Sequence, residues 1–447
     1  MKTFDWIIVG GGIAGISLSE ILTREGHSVA LIEKKDKLAS ATTREFHEWF
    51  HTGSLYTLLR DDMKTLKYIL GSLDDLLEFY SSFSGMNLQT TDSGIKIKDQ
   101  DKGWFSPDYI NFKYRLKNRK LILPWMYAIA RSIALIDGIK KHDWLRRRAG
   151  ILESVTAEYY FSIIKNLFKI IASDNKFYEI RSTDFTINSR NLLNDMIAVA
   201  KNNGLKIFTG NELLEINNLD NNVVANCSNG SFQAKNMAVC LGGDIEKFSD
   251  LKINKSYAPI AVVKKIKSDT KSFVELDCFK KNCINIITKG KSFGLIGGIS
   301  LSKKHQVQKY FDFMINEHKK INPEMEVLEK YIGIKNEVQK YFDFMINEHK
   351  KINPEIHVLE KYIGVKHEIS QKKENRNYLF HINPSKKYKN VWSVIPGKFT
   401  LAFSLAPEFY RVVYKKNPRK FFGTTSDTGA FSHLIEETVW GEIQKKE

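Results

Sequence analysis

The feature that most constrains the fold is a run of glycines between an apolar strand and a helix near the start of the chain. Asp5 to Val9 is apolar and rich in β-forming residues, Gly10 to Gly15 has the sequence G-G-G-I-A-G, and Ile16 to Glu25 has helical spacing. A second apolar segment, Ser28 to Ile32, follows and leads to Glu33. A strand, a turn, a helix and a strand in this order predict a βαβ unit and therefore an α/β fold.

The spaced glycines of this turn suit the binding of a dinucleotide. Gly10 allows the tight turn, Gly12 lets the backbone approach a pyrophosphate, and Gly15 lets the helix pack closely on the strand. The start of the helix, where Ile13 and Ala14 lie, presents backbone N–H groups and the positive end of the helix dipole to phosphates. The alternative is a glycine-rich turn that binds no ligand.

An acidic residue stands where a ribose would be bound. Glu33 lies at the end of the second strand, 23 positions after Gly10, and can accept hydrogen bonds from ribose hydroxyls. We group the adjacent Lys34 with the cofactor-binding residues. The whole motif predicts a bound dinucleotide, but the motif alone does not separate FAD from NAD.

Four further stretches follow in order along the chain. They are Leu38 to Thr43 with the nearby His51-Thr52-Gly53, Asn188 to Leu192 at the start of a second βα unit, Val239 to Gly243 at the end of a strand, and Pro396 to Thr400 between a strand and a helix. In these stretches the chain resembles the D-amino-acid oxidase superfamily of flavoproteins, and within it the glycerol-3-phosphate dehydrogenase branch. The resemblance covers most of the chain, and its first and last motifs are the specific ones.

The resemblance implies that the cofactor is FAD, and it assigns residues to the cofactor site. Small hydroxyl residues are expected near the flavin pyrophosphate, a glycine follows the strand that ends at the cofactor, and a further turn corresponds to the family's G-G-K-W-T. The residues so assigned are Ser40, Thr42, Thr43, Gly242, Gly397, Lys398, Phe399 and Thr400, and we include Leu213 in the same group.

The turn at Gly397 also has a physical reason to lie at a flavin. A Gly-Lys-x-Thr sequence between the strand Val391 to Ile395 and a helix combines N–H donors with the cation of Lys398. Such a turn can stabilise negative charge that develops at the pyrimidine edge of the flavin. The alternative is an ordinary turn with an exposed lysine, and a P-loop is excluded because its upstream glycine is missing.

The residues that the resemblance implies for substrate binding are only partly present. Lys366 stands where the family has the arginine of G-L-R-P, Arg376 lies in its serine-arginine stretch, and Leu55 replaces the arginine of H-G-G-x-R-Y. The family histidine expected near residues 256–259 is absent. Lys366, Arg376 and Lys398 can still bind an anion, although a lysine is a point charge without the bidentate geometry of arginine. The alternative for Lys366 and Arg376 is solvated surface charge.

His51 has two interpretations of equal weight. It can be a general base or a neighbour of the flavin, and we include it with Lys366, Arg376 and Lys398 among the candidate catalytic residues. It can equally be a structural histidine packed beside Trp49 and Phe50. No metal site is predicted.

These elements predict two interleaved domains. A Rossmann-like FAD-binding domain is expected from residues 1–60, 183–256 and 385–416, and a mixed-sheet substrate domain from residues 61–182 and 257–384. Residues 417–447 are left as a C-terminal tail.

The second domain contains a tandem duplication. Residues 307–337 recur as residues 338–368 with four differences, and each copy has the pattern of a helix followed by a strand. Two copies are too few for a solenoid, which needs about three units to bury a shared core. We predict that the second copy is integrated in the sheet and that the first is a peripheral insertion, because only the second keeps Lys366 close in sequence to Arg376.

Charge and cysteine content limit the partners and the location. The net charge of +17 either favours anionic partners or reflects a general bias toward lysine, and the chain has no nucleic-acid-binding motif. Residues 109–172 combine apolar faces with clustered Lys and Arg, which suits either peripheral contact with an anionic membrane or a buried cap. Four cysteines without a C-x-x-C pair, and no export signal, predict a cytoplasmic protein, with a peripheral place on the inner membrane surface if that contact exists.

The expected activity is removal of hydride from a carbon that bears a hydroxyl or amino group, in a small anionic substrate. Oxygen or a quinone would reoxidise the flavin. Two other classes stay open at this point: a non-catalytic flavin- or nucleotide-binding protein, because the substrate residues are incomplete, and an NAD-dependent enzyme.

Overall fold

The computed structural model describes most of the chain outside the middle of the predicted second domain. The described residues are 3–52, 56, 64–91, 94–98, 100, 102–106, 112–116, 178–182, 184–219, 221–264, 272–277, 282–289, 293–298, 301–302, 342–343, 345–352, 354, 356–370, 380–423 and 429–446. Arg376, the first repeat copy and the apolar segments Leu121 to Ile136 and Phe161 to Ile171 lie outside them.

The described residues form two large sheets, and the first begins with the predicted βαβ unit. Its strands have the order β10-β11-β12-β1-β2-β9, with β20 paired to β12 and β19 paired to β20. They are β1 (Thr3–Val9), β2 (Val29–Ile32), β9 (Lys206–Phe208), β10 (Leu213–Leu219), β11 (Asn222–Cys227), β12 (Gly230–Val239), β19 (His381–Pro384) and β20 (Val391–Ile395).

Strand β1 is apolar and buried from Trp6 to Val9, where both of its faces are covered. It pairs in parallel with β2 on one side and β12 on the other. Trp6 and Ile8 pack on the helical side of the sheet, whereas Ile7 and Val9 pack against the hairpin side with Ile216. A continuous apolar run is typical of such a strand in the middle of a parallel sheet.

Six α-helices have both ends within the described residues, besides the helical residues 345–352. They are α1 (Ile13–Arg24), α2 (Thr42–Glu45), α3 (Lys64–Phe79), α4 (Ser189–Asn202), α5 (Ala402–Tyr414) and α6 (Val439–Lys446). Asn188 caps α4, because its side-chain oxygen accepts a hydrogen bond from the N–H of Asn191 at 3.0 Å. Helix α1 packs between α4 and α5 on one face of the first sheet.

The second sheet is mixed and has the order β17-β13-β16-β15-β14-β6-β7, with β18 paired to β13. Together the two sheets confirm the predicted α/β class. Two short ribbons, β3 with β8 and β4 with β5, complete the strands of the described residues. The strands outside the first sheet are β3 (Trp49–Phe50), β4 (Leu88–Thr91), β5 (Gly94–Ile97), β6 (Phe112–Leu116), β7 (Tyr178–Ser182), β8 (Phe185–Thr186), β13 (Ile253–Lys264), β14 (Phe273–Asp277), β15 (Asn282–Lys289), β16 (Phe293–Gly298), β17 (Leu301–Ser302) and β18 (His357–Ile369).

Different parts of the chain pack against the two faces of the second sheet. Ala261, Ile286 and Ile296 pack against Phe342 and Met345 of the second repeat copy, whose residues 345–352 are helical. The opposite face is directed at the loop that follows β2. It carries a row of Cα partners that crosses six strands, in the order Tyr362, Ile260, Gly297, Asn285, Val274 and Tyr114.

The predicted domain division differs from the observed packing in two places. Helix α3, assigned from sequence to the substrate domain, packs against α5, and its Leu73 and Leu76 belong to the same core as Trp6. The reason is that its apolar stripe needs cover, which α5 supplies. Strand β19 was also assigned to the second domain, but it pairs with β20 in the first sheet.

The segments that carry the membrane prediction lie mostly outside the described residues, so that expectation stays a prediction. Among the described residues, no helix is long and apolar enough to cross a membrane.

The second repeat copy supplies a strand to the sheet, as predicted. Its strand β18 pairs antiparallel with β13 from Ile253–Ile369 to Lys264–His357, with one irregularity at Val262. The helical residues before it cover the sheet face described above. The position of the first copy stays a prediction.

Deletion of residues 307–337 should give a folded protein at least as stable as the full chain, because β13 keeps its partner strand. Melting temperature and bound FAD would be measured. Deletion of residues 338–368 is a matched control, because the product differs at only four positions, Ile356, His357, Val365 and His367, from the first deletion. Insoluble protein from the first deletion would show that the first copy belongs to the core.

Candidate functional site

Among the four glycines of the turn, Gly12 has the fewest atoms near the position of an added Cβ. A Cβ on Gly15 would lie 1.9 Å from the carbonyl oxygen of Gly10, and one on Gly11 would lie 2.5 Å from the side chain of Leu38. A Cβ on Gly12 would meet only the Thr43 hydroxyl, at 3.3 Å. Apart from this hydroxyl, the space in front of Gly12 is not filled by the chain, and the approach of a pyrophosphate there stays a prediction.

Gly10 and the start of α1 complete this turn. Gly10 has φ +108°, and a Cβ there would lie 2.5 Å from the carbonyl oxygen of Cys240. Helix α1 begins after Gly12 without a side-chain cap or an acidic residue in its first turn. Ile13 and Ala14 are buried, and the N–H of Ile13 donates to the Thr43 hydroxyl at 3.2 Å. The positive end of the helix thus remains without a counter-charge from its own first turn.

Glu33 organises the loop around the turn. Its carboxylate accepts hydrogen bonds from the N–H of Gly11 at 2.6 Å and from the N–H of Lys35 at 2.9 Å. Its neighbour Lys34 pairs with Asp244 at 2.6 Å, two residues after Gly242. The ends of β2 and β12 are therefore linked beside the predicted ribose position.

The hydroxyl residues of the next loop lie beside the glycine turn. The N–H of Ala39 donates to the carbonyl of Gly11 at 2.8 Å, and Ser40 donates to the carbonyl of Lys37. Thr43 binds Ile13 as described, whereas Thr42 donates to the carbonyl of Val365 on β18 at 3.2 Å. This loop therefore connects the cofactor turn to the second sheet.

The C-terminal strap, which we define as residues 429–446, covers this loop. Leu38 forms a parallel bridge with Ile435: its N–H donates to Leu434 at 2.8 Å and its carbonyl accepts from Glu436 at 2.9 Å. Arg44 pairs with Glu442 at 2.7 Å. The strap, which was predicted to belong to a C-terminal tail, thus packs against the loop beside the glycine turn.

Gly242 follows the end of the central strand β12, and Leu213 begins the edge strand β10. Gly242 has φ +53° and begins the 3-10 turn Gly242–Lys247 directly after β12. The adjacent Gly243 packs under the ring of His367, because a Cβ there would lie 2.2 Å from that ring. Leu213 is buried in the core between the hairpin and β1, so its side chain is structural in the chain as it stands.

The turn from Gly397 to Thr400 meets His51. Gly397 has φ +68°, and Phe399–Leu401 forms a 3-10 turn that leads into α5. The buried hydroxyl of Thr400 accepts a hydrogen bond from the N–H of His51 at 3.0 Å. The ammonium of Lys398 lies 4.8 Å from the ring centre of Tyr56.

His51 is held by a buried carboxylate that the sequence analysis did not identify. Its Nδ1 lies 3.3 Å from Oδ2 of Asp184, and its ring lies against those of Trp49 at 4.1 Å and Tyr56 at 5.2 Å between centres. Burial lowers the pKa of His51; the hydrogen bond to Asp184 opposes this effect, and the charges of Lys398 and Lys366 add to it. His51 is therefore neutral at neutral pH.

Lys366 approaches the same region from β18. Its ammonium lies 5.4 Å from the ring centre of Phe46, and its charge acts on both His47 and His51. The structure thus brings together His51, Lys366 and Lys398 from the predicted catalytic set. Arg376 lies outside the described residues.

Two side chains of the loop, Phe46 and His47, pack closely against glycines of the second sheet. A Cβ on Gly364 would lie 3.1 Å from the ring of Phe46, and one on Gly297 would lie 2.7 Å from Nε2 of His47. Burial, followed by the charges of Lys366 and Lys289, lowers the pKa of His47 to about 3. This histidine is therefore neutral as well.

Several buried polar atoms near these contacts lack a protein partner. Among the described residues, His47 Nε2, Asn285 Oδ1 and Tyr362 Oη are buried without a hydrogen bond. Asn285 and Tyr362 belong to the same row across the second sheet as Gly297. An unsatisfied buried polar group costs about 1–3 kcal/mol, so such groups are usually paired with water or with a ligand.

Glu48 anchors the loop between the sheets. Its carboxylate pairs with Lys289 at 2.6 Å, and both side chains are 4% exposed. It also accepts from the N–H of Ser189 at 2.8 Å and from the Ser189 hydroxyl. The ammonium of Lys289 lies 4.8 Å from the ring centre of Trp440 in the strap.

Four features of the site were not predicted from the sequence: Gly11, Asp184, the Glu48–Lys289 pair and His367. Gly11 was visible as the middle glycine of the run, and His367 is one of the four positions at which the repeat copies differ, since Asn336 replaces it in the first. His367 Nδ1 lies 3.3 Å from the Thr42 hydroxyl. No motif or periodicity in the sequence indicated Asp184, because it is a single acidic residue directly before the short strand β8.

A sheet whose central strands are parallel, with this glycine turn at the end of β1, defines a dinucleotide-binding protein. The family model described as DAO, FAD dependent oxidoreductase, matches residues 5–281, which is more than half of the chain. The chain belongs to this family, and its cofactor is FAD. The predicted family and the choice of FAD over NAD are confirmed.

Solved structures share the fold at low identity. L-α-glycerophosphate oxidase from Mycoplasma pneumoniae, with FAD bound, has a TM-score of 0.59 at 15% identity over 94% of this chain and 97% of the other. Glycine oxidase from Geobacillus kaustophilus has a TM-score of 0.56 at 10% identity over 97% and 98%. L-amino acid deaminase from Proteus myxofaciens, in complex with anthranilate, has 0.57 at 13% over 94% and 91%.

One curated relative matches over a short stretch. UDP-galactopyranose mutase from Mycoplasma pneumoniae is 37% identical over 78 residues, which is 15% of this chain and 18% of that protein. The chain therefore spans under a fifth of this relative's length in the match.

The residues present fit the dinucleotide part of FAD. The open position at Gly12, the uncapped start of α1 and the carboxylate of Glu33 lie together at the ends of β1 and β2. Gly12, Ile13, Thr43 and Glu33 would hold the pyrophosphate and the ribose.

Gly12→Val should abolish FAD binding and leave a folded protein, because the added carbons fill space that only the cofactor uses. Gly15→Ala is the contrasting variant: its methyl group collides with the backbone of Gly10, so it should destabilise the fold itself. Absorbance of bound flavin and the melting temperature of the apoprotein separate the two effects. An FAD-loaded Gly12→Val protein would contradict the assignment.

Deletion of residues 429–447 should increase the rate of FAD loss, because the loop with Thr42 and Thr43 loses its bridge to Ile435. Dilution of the holoprotein, followed by flavin fluorescence, measures this rate. Deletion of residues 444–447 is the control, since it keeps both the bridge and the Arg44–Glu442 pair. Equal rates in the full chain and the long deletion would show that the strap does not retain the cofactor.

Proposed function

We propose that this chain oxidises a small anionic substrate at a carbon that bears a hydroxyl or amino group. Hydroxy acids, amino acids and polyol phosphates are the candidate classes. When bound, FAD supplies the acceptor for the two electrons and the hydrogen of that carbon. Oxygen or a quinone would be the final electron acceptor.

One observation carries the proposal. Two lysines from separate elements approach the region of His51. The ammonium of Lys398 lies 4.8 Å from the ring centre of Tyr56, whose ring packs on His51 at 5.2 Å. The ammonium of Lys366 on β18 lies 5.4 Å from the ring centre of Phe46. Both charges lower the pKa of His51. Cations that converge on one point attract an anionic group, and the attraction is stronger in a partly buried site than in water. Surface lysines at random positions would not both act on one partly buried histidine.

His51 has the properties of a proton acceptor in this arrangement. Its lowered pKa keeps the imidazole neutral at neutral pH, which a general base requires. In the proposal, His51 takes the proton of the substrate hydroxyl or amino group, while Lys366 and Lys398 hold the anionic end.

The unpaired buried atoms support a polar substrate. His47 Nε2, Asn285 Oδ1 and Tyr362 Oη lie on or against the face of the second sheet that is directed at the loop. Hydroxyl or amino groups of a substrate would satisfy them. Such a site discriminates by hydrogen bonds, because an analogue that lacks the polar group leaves a buried partner unpaired.

The direct test is an anaerobic screen of hydroxy acids, amino acids and polyol phosphates for bleaching of the bound flavin. Bleaching by at least one class is expected. If none of the classes bleaches the flavin, the result favours a flavin-binding protein without this activity.

Lys366→Met should raise the KM of a substrate that bleaches the flavin about tenfold, corresponding to about 1.4 kcal/mol, with unchanged FAD content. Arg376→Met is expected to act in the same direction. Lys206→Met, on the exposed edge strand β9, removes the same charge far from the site and should leave KM unchanged. Equal KM in the Lys366 and Lys206 variants would contradict anion binding by Lys366.

A further inference from the structure

Asp184 is a fully buried carboxylate with an unusual number of donors around it. Its Oδ1 accepts from the N–H of Thr52 at 2.9 Å and from the Thr52 hydroxyl at 2.8 Å. Its Oδ2 accepts from Trp49 Nε1 at 3.1 Å and from the hydroxyl of Tyr114, and it faces His51 Nδ1 at 3.3 Å. Both oxygens are therefore used as acceptors.

This arrangement stabilises the ionised form of the carboxyl group. Burial by itself raises the pKa of Asp184, but the interactions of the carboxylate with His51, Tyr114 and the N–H of Thr52 outweigh it and place the pKa below its usual value. A carboxylate that accepts several hydrogen bonds loses them when it is protonated. Asp184 is consequently an acceptor only.

An acceptor at Nδ1 determines where the proton of His51 lies. A neutral imidazole has one N–H and one lone pair, so an ionised carboxylate beside Nδ1 requires the N–H at that nitrogen. The lone pair is then on Nε2, at the other edge of the ring. The ring cannot turn freely, because Trp49 and Tyr56 pack against it and its backbone N–H is bonded to Thr400.

We propose that Asp184 is a positioning residue, which holds His51 in the tautomer with the proton on Nδ1 so that Nε2 can accept the substrate proton. The catalytic role that this inference gives to His51 rests on the proposed function. The assignment of the tautomer does not depend on that function. The charged and titratable groups that act on the ring are Asp184, Lys398 and Lys366, with Tyr56 in contact with its face and Tyr114 bonded to Asp184.

Asp184→Asn tests this assignment, because an amide of the same size can donate to Nδ1 and so favour the tautomer with the proton on Nε2. Two-bond ¹⁵N NMR of histidine-labelled protein reports the tautomer, with the His51 signal assigned by its loss in His51→Gln. The wild type should show the proton on Nδ1, and Asp184→Asn should show it on Nε2. A wild-type His51 with the proton on Nε2 overturns the proposal even if the variant does not fold.

Kinetics supply the second readout. The rate of anaerobic flavin reduction per bound flavin should rise with pH to a plateau in the wild type, as the imidazole loses its proton. In Asp184→Asn the plateau should fall by at least about 100-fold, the usual contribution of a general base. The rising limb should also move to lower pH, because the imidazolium loses its neighbouring negative charge.

Asp195→Asn is the matched control. Asp195 is also a buried carboxylate, and it accepts from Trp104 Nε1 at 2.8 Å and from the N–H of Gly85 at 2.9 Å, with no histidine bonded to it among the described residues. This variant should leave the pH profile and the His51 tautomer unchanged. A profile altered equally in both variants would mean that Asp184 acts through stability alone and would overturn the proposal.

The two readouts separate this inference from the proposed function. An unchanged tautomer in Asp184→Asn refutes the positioning role. A changed tautomer with an unchanged rate of flavin reduction supports the positioning role and refutes His51 as the base.

Discussion

The loop from Thr42 to Thr52 lies between the two sheets, and one buried ion pair holds it there. Glu48 and Lys289 are almost completely removed from water, and Ser189 and the ring of Trp440 provide further contacts. Loss of one partner from such a pair costs about 3–5 kcal/mol, because the other charge remains buried alone. Glu48 also adopts a left-handed backbone with φ +53°, a conformation that persists only where its surroundings fix it. The positions of His47 and His51 on either side of Glu48 follow from this anchor.

The same loop serves both halves of the site. Its first part contacts the glycine turn through Thr43, just after the contact that Ala39 makes with the same turn. Its last part contacts the turn at Thr400 through His51. Because a short stretch of backbone joins the two parts, a shift of the ion pair would disturb cofactor contacts and substrate contacts together. The strap adds a second restraint on the cofactor side through the bridge between Leu38 and Ile435. Several segments of the chain, and not a single connection, thus hold the two sheets together.

The second copy of the tandem duplication contacts both the second sheet and the cofactor loop. Strand β18 fits against β13 with Gly364 under Phe46 and with His367 over Gly243, beside Thr42. Gly364 has an equivalent in the first copy, but His367 is replaced there by Asn336. The second copy is therefore the one whose side chains complete contacts with the cofactor loop, and its neighbouring helical residues bury the outer face of the sheet.

The sequence by itself determined the first βαβ unit, the glycine turn, Glu33, the strand before Gly397 and the family, because these depend on local patterns: apolar periodicity, glycine spacing and short motifs. Only the tertiary structure decided that Asp184 faces His51, that Lys289 neutralises Glu48 and that Lys366 and Lys398 act on one imidazole. Those partners are separated by 133, 241 and 32 residues in the chain, and no local pattern encodes such distances. Helix α3 makes the same point, since its apolar stripe was visible in the sequence but the helix that covers it was not. A sequence states which side chains need burial or a counter-charge, and the fold selects the partners that satisfy them.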